Sequence, residues 1–71
     1  MSDRMRGTVT RVIAVRGFAF VDGDDGQHYF MHVKSLPAEE LWANVRVGVR
    51  VEFAPIEIMP GRWRTEGVMF L

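Results

Sequence analysis

The chain contains no cysteine. That excludes disulfides and thiolate metal sites as sources of stability, and it fits a reducing compartment. Long apolar runs are also missing, and no uncharged stretch approaches the length of a membrane-spanning helix. The opening residues, MSDRMRG, have no apolar segment of the kind that begins a secretory signal. The expectation is a soluble, cytoplasmic protein. Neither charge sign is in excess, since nine basic side chains balance nine acidic ones. The strong basic surplus that announces a nucleic-acid binder by charge alone is therefore absent. No linker, repeat or low-complexity segment divides the 71 residues, so 1–71 reads as one domain. A domain so small buries only about 60% of the surface its unfolded chain exposes. No Ser-His-Asp set, phosphate-cradling glycine loop or acid–base carboxylate pair stands out. An enzyme is not expected, and no cofactor is implied.

What the sequence does have is a period of two. TVTRVIAV is rich in β-branched residues, FAFV and HYFMHV are aromatic and β-prone, and RWRTEGVMFL supplies a last strand. VRVGVRVEF alternates, with Val45, Val47, Val49, Val51 and Phe53 on one face, and Gly48 is expected to divide it into a turn and a strand. Turn signals DGDDG and MPG separate these runs. Short strands at close turn spacing point to an all-β sandwich or barrel. The exception is SLPAEELWAN, where Pro37 followed by good helix formers predicts a helical turn near 37–43.

Charge is unevenly spread. Arg4, Arg6, Arg11 and Arg16 fall in the first sixteen residues with Asp3 as the only acid, while Asp22, Asp24 and Asp25 crowd one turn. A locally basic surface is thus compatible with a neutral molecule. His28 and His32 stand four apart, a metal-ligand spacing on a helix. On a strand the same spacing separates them by about 13 Å, too far to share one ion. DGDDG lacks the alternating ligands and terminal glutamate of a calcium loop and reads as a turn.

If the chain folds back around Asp25, Phe20 lies opposite Phe30 and Phe18 opposite His32. One face of this hairpin then carries Phe18, Phe20, Phe30 and His32 as a compact cluster beside Arg16 and Lys34. The other carries Ala19, Val21, Tyr29, Met31 and Val33, an aliphatic set suited to a barrel interior with Val9, Val51 and Val68. Both faces are apolar. Periodicity alone leaves two readings of the phenylalanines open: core, or a stacking platform beside cations.

A further pattern bears on this choice. Residues 7–21, GTVTRVIAVRGFAFV, resemble the opening of the cold-shock domain family, which begins Gly-Thr-Val and continues at this spacing into Lys-Gly-Phe-Gly-Phe. The matching residues are Arg16, Gly17, Phe18, Ala19 and Phe20. Residues 29–33, YFMHV, resemble the family's second motif, Val-Phe-Val-His-Phe, and their separation from the first also fits. VGVRVEF and VMFL are weaker echoes of its later strands. The resemblance implies a five-stranded antiparallel OB-fold barrel that binds single-stranded RNA or DNA, acting as a nucleic-acid chaperone or expression regulator. It implies stacking roles for Phe18, Phe20, Phe30 and His32. Trp42 falls near a family loop aromatic, either as another platform or as a cover for one end of the core. Arg11, Arg16 and Lys34 would meet phosphate or stack.

The departures are specific. A stacking tryptophan of the family is replaced by Arg11, its neighbouring phenylalanine by Val12, the intervening glycine by Ala19, and the phenylalanine after the histidine by Val33. Each lost base–aromatic contact costs about 1–3 kcal/mol. A guanidinium plane at Arg11 recovers part of that by stacking and by meeting phosphate. The rival expectation is a protein-interaction or homodimeric assembly module on the same fold, motivated by the lost aromatics and the neutral charge.

Overall fold

The computed structural model describes residues 4–37 and 41–71. Five strands make up most of it: β1 Met5–Ile13, β2 Phe18–Gly23, β3 His28–His32, β4 Arg50–Met59 and β5 Arg62–Phe70. They close into a barrel in the order β1-β2-β3-β5-β4. Four of the five seams are antiparallel. The fifth, between β3 and β5, is parallel and only two residue pairs long, Tyr29 with Trp63 and Phe30 with Arg64. The expected OB-fold-like barrel is therefore present, and a parallel seam closes it.

The interior is filled by residues of one alternation. Val9, Ala19, Val21, Met31, Val51, Phe53 and Val68 are fully buried, and Tyr29 and Val45 nearly so. Burying each of the larger of these side chains stabilises the fold by about 1.5–3 kcal/mol. The Tyr29 ring packs edge-on against Phe53 at 4.8 Å and against Trp63 at 6.2 Å between centroids. Strict alternation would not bring both Thr65 and Val68 inside, because they are three residues apart. The register with β4 shifts here, and Gly67 takes a left-handed φ of 58°. This is the bulge geometry that glycine permits, and it resets the face so that both residues point inward.

The β2–β3 register is the one expected from the sequence: Phe20 pairs with Phe30 and Phe18 with His32. Gly23 sits where the turn folds under the barrel. A Cβ there would meet the Asp25 carboxylate and stand 2.6 Å from the Tyr29 ring, so only glycine fits. Asp25 Oδ1 accepts the Gln27 amide at 3.0 Å, and Oδ2 accepts the Tyr29 hydroxyl at 2.8 Å. Burial, then the Asp25 hydrogen bond, pushes the Tyr29 phenol up to about 12.

Two sequence expectations are corrected, and a third is only partly within the described residues. Val47 does not join the buried face of its run and is 67% exposed. The Val49 amide donates to the Arg46 carbonyl at 3.1 Å, and Gly48 has a φ of 93°. Val47 and Gly48 are thus the centre of a tight turn, as the glycine foretold, and the strand begins only at Arg50. Val33 leaves β3 as well. It opens a 3-10 turn, Val33–Ser35, and is half-buried rather than core. The helical turn expected near 37–43 falls partly on residues 38–40, which lie outside the described residues; among the rest, Trp42–Asn44 form a 3-10 turn.

Candidate nucleic-acid interface

The interior is complete without Phe18, Phe20 or Phe30. All three lie on the outer face of the barrel, with ring centroids 5.1 Å apart for Phe18 and Phe30, 5.7 Å for Phe18 and Phe20, and 6.1 Å for Phe20 and Phe30. Phe18 and Phe30 are half-buried by this mutual contact, and Phe20 is 39% exposed. The interior is filled without these rings, so their partly exposed aromatic surface is available for contact.

The cross-strand rows show what surrounds the rings. Side chains of paired residues share a face of the sheet. Arg11 pairs with Phe20, Phe20 with Phe30, Phe30 with Arg64, and Arg64 with Ile56. The two phenylalanines therefore stand in one row between two arginines. In the adjoining row Ile13 pairs with Phe18 and Phe18 with His32.

Arg11 reaches this row through a bulge. Val9 pairs with Val21 inside the barrel, and plain alternation would turn Arg11 inward after it. Instead the register shifts between Val9 and Arg11, so that Thr10 and Arg11 both face solvent. The Thr10 hydroxyl donates to the Phe20 carbonyl at 3.4 Å. A guanidinium is thereby kept out of the core and laid beside the aromatic platform.

His32 is half-buried, and its Nδ1 accepts the Lys34 amide at 3.1 Å. The amide must be the donor, which leaves any ring proton on Nε2. Lys34 is exposed in the following 3-10 turn, and Arg16 is exposed in another, Ala14–Arg16. The structure brings Phe18, Phe20, Phe30, His32 and Arg11 into one patch and sets Arg16 and Lys34 on turns that directly follow or precede its strands. Trp42 is different. It is half-buried, packs on the core, and holds its Nε1 away from solvent with no hydrogen-bond partner among the described residues. Of its two readings the geometry favours the cover over one end of the core.

Arg4 and Arg6 do not extend the basic surface toward the rings. Both are paired with Glu52, at 3.0 and 3.4 Å, and the Arg4 hydrogen bond holds the Glu52 carboxyl below its ordinary range. Arg50 grips Asp24 through two nitrogens, each at 2.8 Å, and that bond lowers the Asp24 carboxyl in the same way. Among the described residues, Arg11, Arg16, Lys34, Arg46 and Arg62 have no carboxylate within ion-pair distance. Arg11, Lys34 and Arg62 lie on or beside the aromatic face, Arg16 lies in the turn before β2, and Arg46 lies in the turn before β4.

Two shallow grooves flank Phe30 along the short β3–β5 seam. One, of about 420 Å³, lies among Phe20, His28, Ile58, Arg62 and Trp63. The other, of about 370 Å³, lies among His32, Lys34, Ile58, Arg64 and Glu66. Sequence reasoning missed Ile58, Arg62 and Arg64. A signal was present: in RWRTE, Arg62, Arg64 and Glu66 alternate with Trp63 and Thr65, so one face of β5 had to carry the charges. What the alternation could not say is that this face abuts Phe30, because the β3–β5 pairing joins segments distant in sequence. No protein-family model matches the chain, and no curated protein matches it.

Proposed function

We propose that the protein binds single-stranded RNA or DNA by stacking bases on Phe18, Phe20, Phe30 and His32, in the manner its cold-shock-like motifs imply. The observation that carries this reading is the row Arg11–Phe20–Phe30–Arg64 on the outside of a barrel whose interior is already full. A nucleic-acid strand offers flat apolar bases and regularly spaced anions, and the row offers rings between cations. Arg11 takes the place of a stacking tryptophan and supplies a guanidinium plane instead. Arg16 and Lys34 provide further positive charge at the margins.

The action follows from binding alone. Bases are available to the rings only when unpaired, so binding lowers the free energy of open strands relative to hairpins. Secondary structure melts without ATP, which suits a nucleic-acid chaperone or a regulator of expression. The absence of net charge sets a moderate affinity, carried by stacking more than by ion release.

The test is fluorescence anisotropy of labelled oligothymidylate and oligouridylate across salt concentrations. The expected result is binding whose log–log salt slope is about −0.7 per phosphate neutralised, removed by Phe20→Ala in a protein that remains folded. A folded protein that binds neither oligomer, and whose sedimentation reveals a dimer burying Phe18 and Phe30, would establish instead that this face is an assembly contact.

A further inference from the structure

The larger groove beside Phe30 has features that stacking does not require. Its walls are apolar and aromatic: Phe20, Phe30, Trp63 and the overhanging Ile58. Its volume of about 420 Å³ lies at the small end of the usual range for ligand sites and accommodates a purine nucleoside. Its polar rim is made of Arg62 and His28.

Three of the neighbouring carboxylates are engaged elsewhere, and Glu57, opposite Trp63 in the β4–β5 register, lies beyond ion-pair distance of Arg62. Asp22 holds His28 Nδ1 at 2.7 Å, Asp25 holds the Tyr29 hydroxyl and the Gln27 amide, and Glu66 holds Arg64 at 3.2 Å. Arg62 has no such partner among the described residues. Two arginines of one strand face thus differ: Arg64 is tied down at the edge of the smaller groove, and Arg62 keeps its full fork of donors at the mouth of the larger one.

We propose that this groove is a guanine subsite. It rests on the single-strand binding reading above and adds base selectivity to it. The base enters edge-first between the Phe20–Phe30 rings and Ile58, against Trp63. The Arg62 guanidinium donates two parallel hydrogen bonds to O6 and N7 of guanine, a purine edge that presents two adjacent acceptors to such a fork; unpaired cytosine presents a similar pair at O2 and N3, but on a single ring that fills less of the groove. Adenine offers N7 beside a donor, and thymine offers O4 without a second acceptor alongside, so each loses one of the two bonds. His28, held by Asp22 through Nδ1 and lining the groove, leaves its Nε2 free for a further contact. The unpaired positive charge complements the phosphodiester that must accompany the base.

The experiment compares a short oligothymidylate with versions in which one central residue is guanine, adenine, or a deazaguanine carrying carbon in place of N7. Binding is read by anisotropy, and groove occupancy by Trp63 emission in a Trp42→Phe background. The expected result is that guanine binds about tenfold or more tighter than thymine, while adenine and deazaguanine return to the thymine level. Trp63 is quenched most by the guanine oligomer. Arg62→Gln, at an exposed position, abolishes the guanine preference while oligothymidylate still binds. Equal binding of guanine and thymine oligomers, or a guanine preference that survives Arg62→Gln, overturns the subsite and leaves the stacking platform standing. Failure of every oligomer to bind the folded protein overturns both.

Discussion

The β2–β3 hairpin has two apolar faces with opposite fates. Ala19, Val21, Tyr29 and Met31 point inward and are almost wholly excluded from solvent, while Phe18, Phe20 and Phe30 point outward and remain partly exposed. Hydrophobicity does not distinguish the two sets, and all three phenylalanines of the hairpin are outside. What distinguishes them is the neighbourhood. The inner set meets aliphatic side chains from every other strand. The outer set meets one another, two arginines and a histidine. A small barrel has room for one filled face, so the second apolar face is carried at a cost in exposure that a structural role alone does not explain.

Substitution on each face gives the sharpest contrast. Phe53→Ala, inside and fully buried, is expected to cost about 3–5 kcal/mol by loss of burial and creation of a cavity. A domain of this size has little reserve, and urea denaturation should find much of the variant unfolded. Phe20→Ala on the outer face is expected to cost less than about 1 kcal/mol, since little burial is lost. Equal destabilisation by both would collapse the distinction between core and platform.

The next effect belongs to the outer face alone. Phe30→Ala removes the ring at the centre of the row and is expected to weaken oligonucleotide binding by about 1–3 kcal/mol, or roughly 5- to 150-fold. Arg11→Ala should weaken it less and flatten the salt slope by up to about 0.7. If Phe30→Ala leaves the affinity unchanged in a folded protein, the row is not a stacking surface.

How far the sequence reveals this contrast depends on how local each feature is. The hairpin register was legible because DGDDG fixes the turn and both flanking runs are short. The inner residues were legible because a valine-rich alternation repeats in several strands. The bulge at Thr10 was not, because it exists only through pairing with β2, and alternation put Arg11 on the same side as Val9. Val47 was misplaced for a related reason. Five apolar residues at period two read as one face, but the turn at Gly48 removes Val47 from the strand altogether. Arg62 and Arg64 were visible as a charged face of β5, and only the parallel seam with β3 makes them part of the site. Local patterns thus specified the platform, and non-local pairing specified its charged border.

Tyr29 reports on the inner face by titration. It is the only tyrosine in the chain, so tyrosinate absorbance reads it without interference. Its folded pKa of about 12 lies above the ordinary value of 10.0. A raised acid favours the neutral phenol in the folded state. Its stabilisation is therefore whole below pH 10 and is lost as pH rises from there toward 12. The expected titration midpoint is near 12 in the folded protein and close to 10 in urea. Asp25→Asn should lower the folded midpoint, since it removes the negative charge at the hydroxyl. A midpoint near 10 in the folded protein would place Tyr29 in solvent and contradict the inner packing.

The smallest expected effect lies on the polar side of the barrel, away from either apolar face. Glu52 and Asp24 are held below their ordinary values of 4.5 and 3.8, chiefly by hydrogen bonds from Arg4 and Arg50. A lowered carboxyl favours the ionised form in the folded state. Its contribution is present above the ordinary value and fades as pH falls through the lower folded one. The Arg50–Asp24 pair is solvent-exposed and the Arg4–Glu52 pair is half-buried at the surface, so salt screens both and the loss is small. Thermal denaturation from pH 6 down to pH 3 should show a shallow decline in Tm. Glu52→Gln should remove part of that decline and leave oligonucleotide affinity unchanged. A Glu52→Gln variant with altered affinity would mean that the Arg4 and Arg6 side chains, released from their partner, reach the bound strand, and the boundary between the structural and ligand-facing arginines would have to be redrawn.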